Sequence, residues 1–282
     1  PRRRSARREK PVSIKSILCA YSGEEAKGSG LRHAIRIAKH HDAYLTGVVR
    51  HGRSYLHRQF SAQLPASVLD QLKEQERDRI AEIAARFARV VGAAGRGEAA
   101  EFVDLDPEVD GPLAEFSRAF DLVVTGNHSS AKHEDHLSAH PDLIALRSGR
   151  PVLVVPDGYE ADALADHAVV AWDGQRAATR ALVAAMPVLE EKARVSLLSV
   201  GDTPRNTDRL VATISRHGIQ VAALSVPRRG SVAGTLLAES ERLGAKLIVI
   251  GAFEHSKFSH DIVGGVTTEL LRKTRVPVMM AH

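Results

Sequence analysis

The sequence predicts an α/β protein in which one domain is written twice, and three observations carry that prediction. The chain repeats itself: Asp121-Leu-Val-Val-Thr-Gly126 resembles Lys246-Leu-Ile-Val-Ile-Gly251 at an offset of 125, and Ile17–Gly23 resembles Ala168–Gly174 at an offset of 151. Leu146-Arg147 before Pro151-Val-Leu-Val-Val likewise matches Leu271-Arg272 before Pro277-Val-Met-Met-Ala. Short β-branched runs alternate with amphipathic stretches, the pattern of a parallel sheet covered by helices. The apolar runs are continuous rather than alternating, so both faces of the sheet should be covered.

In the first copy strands are expected near 15–20, 43–49, 99–104, 121–125 and 151–155. Between them Leu31, Ala34, Ile35 and Ala38 share one helical face, and Ile80, Ile83, Phe87 and Val90 another. The change of offset places an additional segment around 50–75 in this copy. The second copy predicts strands near 168–172, 194–200, 219–226, 246–250 and 276–281. One of its helices should start from Ser231 as N-cap, bury Val232, Leu236 and Leu243, and stop at Gly244. The two domains should then span 11–156 and 166–282, joined near Asp157 to Asp166.

With 44% hydrophobic and 26% charged residues over 282 positions, collagen-like, low-complexity and largely disordered classes are excluded. No apolar run approaches the roughly 18 residues that a bilayer-spanning helix needs. The net charge of +5 invites a nucleic-acid reading, but its position argues otherwise. Residues 1–10 hold six basic side chains against Glu9 alone, and the other 272 residues carry 33 basic and 33 acidic groups. The segment 1–10 therefore reads as a basic disordered tail, and any nucleic-acid contact is expected there alone. It is not a signal peptide, because the apolar stretch Ser16–Ala20 is too short. The chain opens at Pro1 without a methionine, which leaves room for a start further upstream. A single cysteine, Cys19, cannot form an internal disulfide, and a reducing cytoplasm is the expected compartment.

Ligands of parallel sheets gather beyond the carboxyl ends of the strands, which selects the loops worth reading. The segment after the fourth strand of the second copy runs from Gly251 to a Gly264-Gly265 pair and Thr267 at a helix start. Glycines let backbone N–H groups approach a phosphate, and a helix N-terminus adds unpaired donors. The same glycines could instead serve a turn and close helix–sheet packing. Asp173, after the first strand of this copy, could accept a hydrogen bond from an exocyclic amine or a ribose hydroxyl, or cap the helix beginning near Arg176. In the first copy Gly28-Ser29-Gly30 could form an anion nest, or Ser29 could be an ordinary N-cap. His128, His133, His136 and His140 lie within thirteen residues. On a helix His133, His136 and His140 would share a face suited to zinc, with a polar histidine-rich loop as the alternative. Arg228-Arg229-Gly230-Ser231 reads as a solvated turn. No GxxxxGK[ST], GxGxxG or GxSxG signature is present.

The repeat, the Trp172-Asp173-Gly174 stretch, the GAFEHSKFSHDIVGGVT loop at 251–267 and the closing RVPVMMAH resemble the universal stress protein (UspA) family in its tandem two-domain form, over about 11–282. The resemblance implies Rossmann-like domains of the adenine nucleotide alpha hydrolase-like type, each a five-stranded parallel sheet of order 3-2-1-4-5. It also implies an ATP site built from an aspartate after strand one and a G-x2-G-x9-G-[S/T] loop. Carried onto this chain, Asp173 would meet adenine, the backbone near Val200 would help hold the base, and Gly251 and Gly264 would approach the phosphates. Two departures stand out: Glu254 replaces the second motif glycine, and Gly265 the hydroxyl residue, with Thr267 as a partial replacement. A carboxylate beside phosphates repels them, so weakened ATP–Mg²⁺ binding or a smaller adenine nucleotide is expected. His255 and Lys257 could offset that charge. The first copy has Ser22 for the aspartate, Ser129 for the second glycine, and Ala139-His140 where Gly-[S/T] is required, and is read as a degenerate site.

Three functions follow in rank. The first is a cytoplasmic stress-response module whose second half senses an adenine nucleotide, ordering 251–265. The second is a nucleotide-independent interaction scaffold, a homo-oligomer or internal pseudo-dimer in which the strands Pro151–Val155 and Pro277–Ala281 pair. The third and last is a slow ATP hydrolase using Glu254 or Asp261.

Overall fold

The computed structural model describes residues 14–23, 28–50, 64–106, 108–127, 140–160, 164, 166–252 and 265–282. The first half contributes β1 (Ser16–Ala20), β2 (Tyr44–Arg50), β3 (Ala100–Leu105), β4 (Leu122–Gly126) and β5 (Val152–Val155). The second contributes β6 (His167–Ala171), β7 (Arg194–Val200), β8 (Val221–Val226), β9 (Leu247–Gly251) and β10 (Val278–Ala281). All ten lie where the apolar runs predict them, because β-branched runs bounded by turns favour a doubly covered strand.

Separate five-stranded sheets were the expectation, and the structure corrects it. The strands form one mixed sheet of order β3-β2-β1-β4-β5-β10-β9-β6-β7-β8. Each half keeps the order 3-2-1-4-5, and every pairing within a half is parallel. The halves join where β10 runs antiparallel to β5, with Val278 opposite Val154 and Met280 opposite Val152. An open edge strand exposes unpaired N–H and C=O groups. Each half covers that edge with the other, so the expected pairing of the closing strands occurs within one chain.

Successive strand residues face opposite layers: Ile17 and Cys19 pack into one core, Leu18 and Ala20 into the other. Leu153 and Met279 belong to the first of these cores, and Val152, Val154, Val278 and Met280 to the second, so both run unbroken across the join. Each fully buried aliphatic side chain of this kind contributes about 2 kcal/mol. Burial of Cys19 pushes its thiol up to about 12, which keeps it an inert core residue.

The helices on the sheet differ between halves. The first half has a 28-residue helix, Ala66–Ala93, that begins within the additional segment around 50–75, against the ten residues of Thr207–Arg216 in the second half. The longer helix buries Ile80, Ile83, Phe87 and Val91, and the expected Val90 is half-buried against the same core. In the second half Ser231 is the N-cap of Val232–Arg242, its Oγ accepting from Gly234 N at 2.9 Å. Leu236 is buried there, while Val232 and Leu243 are half-buried, and Gly244 follows with φ +67°. The corresponding first-half stretch makes only the single turn Leu113–Phe116, with a 3-10 turn after it. No helix among the described residues is long and apolar enough to cross a membrane.

Candidate functional site

In the order β10-β9-β6-β7, the carboxyl ends of β9, β6 and β7 lie side by side. Gly251 ends β9, Asp173 follows β6, and Val200 ends β7, so the structure brings these three to one edge. Gly265 and Thr267 open the helix Val266–Lys273 that leads back to β10. Gly264, Glu254, His255, Lys257 and Asp261 lie outside the described residues, as do His128, His133, His136 and the tail 1–10.

The turn after β6 is held from several sides. Trp172 N–H donates to Leu198 O at 2.9 Å, and its buried indole Nε1 donates to Thr207 Oγ1 at 3.1 Å. Ser199 Oγ donates to Trp172 O at 2.7 Å. Gly174 has φ +76°, and a Cβ there would stand 2.8 Å from Pro204 Cβ, so this position requires glycine twice over. Asp173 is thereby set at the exposed mouth of the edge. Its Oδ1 accepts from Gln175 N at 2.9 Å, and Gln175 is the N-cap of the helix Arg176–Leu189. The aspartate therefore fixes the turn into that helix from two residues before the cap.

Gly251 has a different reason for lacking a side chain. A Cβ on it would lie 2.4 Å from Ala178 N and 2.5 Å from Ala177 C, so the helix Arg176–Leu189 occupies that space. What Gly251 offers the edge is backbone. Gly265 is the opposite case: it is an extended N-cap, φ −117° and ψ 178°, and among the described residues a Cβ there would meet nothing within 4 Å. Thr267 is buried, and Glu269 in the first turn of this helix pairs with Lys273 at 2.7 Å. Hydrogen bonds from Lys273 and then Ser231 hold the Glu269 carboxyl below its ordinary range.

The first-half edge has the same frame and a different filling. Tyr21 N–H donates to Val48 O at 2.9 Å, the counterpart of the Trp172 bond, but Ser22 stands where Asp173 does. Gly23, at φ +82°, is packed by Ile83 of the long helix, 2.7 Å from where its Cβ would be, and Arg86 donates to its carbonyl. Gly28, not Ser29, is the N-cap of the helix Ser29–His41, and none of Gly28, Ser29 and Gly30 is left-handed, as an alternating nest over these residues would require. Ser29 is the first helical residue, its Oγ accepting from Arg32 at 3.2 Å. His140 caps Pro141–Ser148 with φ 44° and so stands outside that helix. No group of three or more His, Cys, Asp or Glu among the described residues is suited to a metal ion. Arg228 Nε donates to Gly230 O at 2.7 Å in the expected exposed turn.

Sequence reading did not find the ionisable groups at the seam between the halves, because their partners are far apart in the chain. His40 Nε2 lies 2.9 Å, and His41 Nε2 3.6 Å, from Glu191 Oε2 of the second half. Lys192 Nζ donates to Leu164 O. His33 is buried edge-on against Tyr159 beside a cavity of about 30 Å³ that Asp166, Lys192 and Lys246 also line. Burial, then the cations Lys192 and Arg36, push the His33 ring down to about 4. His41 is lowered too, by burial first; Glu191 opposes this, while His40 and Lys15 add to it.

The comparisons with known proteins fit this geometry. A universal stress protein from Archaeoglobus fulgidus is 20% identical, covers 97% of this chain and 98% of its own, and superposes at a TM-score of 0.72. A Pseudomonas aeruginosa protein described as functionally unknown is 16% identical, covers 95% and 92%, and reaches 0.54. At these identities the likeness speaks for the fold. A universal stress protein of Synechocystis is 23% identical over 177 residues, 59% of this chain and 60% of that relative's length. The profile described as "Universal stress protein family" matches residues 13–156 and 215–282. That is most of the chain, and it takes in both halves: the protein belongs to the universal stress protein family.

Proposed function

We propose that this chain is a cytoplasmic stress-response module whose second half binds an adenine nucleotide, ATP or a smaller relative, with Mg²⁺ carried on its phosphates. Asp173 and the backbone at Val200 would take the base and ribose. Gly251, Gly264, Gly265 and Thr267 would take the phosphates. The observation that supports this reading most is the contrast at the helix start: among the described residues a Cβ at Gly265 would meet nothing within 4 Å, which leaves room beside the first-turn N–H groups of Val266–Lys273 that a helix start does not pair internally. Those donors and the exposed Asp173 carboxylate suit the two ends of a nucleotide. The role is positional: a ligand seated against 251–265 alters the surface offered to partners. Catalysis is not part of the proposal.

Calorimetric titration with ATP–Mg²⁺ tests it, with wild type beside Glu254→Gly. Heat of binding is expected in both, and tighter binding in the variant, because a like charge has left the phosphates. No heat in either protein, together with no nucleotide released on denaturing the purified chain, overturns the reading. The join of β5 to β10 favours the internal pseudo-dimer scaffold in that event.

A further inference from the structure

The two halves end their last helix differently. Pro141–Ser148 stops at Gly149, whose φ of 70° is the left-handed conformation that closes many helices. Its second-half counterpart, Val266–Lys273, stops at Thr274 in an extended conformation, φ −64° and ψ 146°. Thr274 N–H donates to Leu270 O at 2.8 Å. For Leu271 O the amide four residues on belongs to Arg275, outside the helix, so this carbonyl is one that a helix end leaves unpaired. Its partner comes from the other half: Asn127 Nδ2 donates to Leu271 O at 2.7 Å in a partly buried setting. Asn127 is itself fixed, because its own N–H donates to Val155 O at 3.0 Å at the end of β5. At the offset of 125 the counterpart of Asn127 is Ala252, which has no side-chain donor. The cap therefore runs one way, from the degenerate half to the half with the candidate site.

We propose that Asn127 is a positioning residue for the ligand edge of the second half. Its side-chain amide caps Val266–Lys273 across the seam and so holds Gly265 and Thr267 in place at the opposite end. The helix has eight residues, about 12 Å in length. Helices this short are marginal on their own, and with little more than two turns between its ends a helix of this length loosens as one unit. Leu270 and Leu271 anchor its buried side, and Asn127 adds the directional contact that fixes its end. The role toward a ligand rests on the nucleotide reading above; the cap itself does not.

Amide hydrogen exchange and ATP–Mg²⁺ titration, run on wild type, Asn127→Ala, Asn127→Asp and the double variant Asn127→Ala/Thr274→Gly, test the proposal. Asn127→Asp keeps the shape, loses the donor and sets a carboxylate against Leu271 O at a helix C-terminus, so its effect should be at least that of Asn127→Ala. In Asn127→Ala, amides of Val266–Lys273 are expected to exchange about fivefold faster and ATP to bind about fivefold more weakly, the size of one net hydrogen bond. Thr274→Gly supplies the cap that the first half has at Gly149, and should restore both readouts. Unchanged exchange in the single variants overturns the cap, and faster exchange at unchanged affinity overturns the positioning role. Absence of binding by wild type removes the nucleotide reading and with it the role toward a ligand, while faster exchange would even then establish the cap across the seam.

Discussion

The carboxyl edges of the two halves share a frame and differ in what fills it. At the second-half edge, Gly174 rests on Pro204, Asp173 is exposed, and a Cβ at Gly265 would meet nothing within 4 Å among the described residues. At the first-half edge, Ile83 and Arg86 of the long helix pack against Gly23, and Ser22 replaces the aspartate. The halves also divide the same close contact differently. In the first half Gly30 of the helix Ser29–His41 meets Gly126, whereas in the second Ala177 and Ala178 of Arg176–Leu189 meet Gly251. A duplicated sheet thus keeps its crossing geometry while its two copies fill the carboxyl edge differently.

The largest effect should come from that shared contact. Gly251→Ala places a Cβ within 2.4 Å of backbone that the sheet holds in place, and is expected to cost about 3 kcal/mol, the upper end for overpacking. Gly30→Ala meets Gly126 N at 2.9 Å, and the gain in helix propensity offsets part of the strain, leaving about 1 kcal/mol. Urea midpoints of the two variants give the ranking; equal losses would show that the halves tolerate the contact alike.

Next in size is the pH dependence of the seam. The folded His33 ring titrates near 4, against the ordinary 6.5, so the folded state favours the neutral form. Stability from this residue is fully present above pH 6.5 and is lost as pH falls towards 4. Between pH 7.5 and pH 5 the loss should be on the order of 2 kcal/mol. His33→Leu should flatten this part of the stability profile, and a profile as steep as wild type would assign the acid sensitivity to other groups such as His41.

The smallest effect should be at Gly265→Ser. A hydroxyl at this N-cap can accept from the first-turn N–H groups without crowding, for a gain of a few tenths of a kcal/mol. Slower amide exchange at the start of Val266–Lys273 is the readout, and destabilisation would mean that the helix start is less open than its geometry indicates.

Much of this was legible in the chain. Strand positions followed from β-branched runs, because burial on both faces leaves an unbroken apolar signature. Ser231 was legible as an N-cap because capping is local chemistry. The branching of Gly251 into a packing role and Gly265 into an open one was not, since both are simply glycine in sequence. Asn127 and the cluster of His33, His41, Glu191 and Lys192 were invisible for a related reason: their partners lie far away along the chain.

What the sequence determined by itself is therefore the repeated unit, the positions of its strands along the chain and the neutral charge of everything beyond residue 10. These depend on periodicity and composition, which a linear reading preserves. Tertiary structure alone decided that β10 lies antiparallel to β5, making one sheet of ten strands. It also decided that Asn127 of the first half donates to Leu271 O at the end of a second-half helix. Strand pairing and capping across a seam depend on which groups meet once two apolar cores have merged, and no local pattern encodes that meeting.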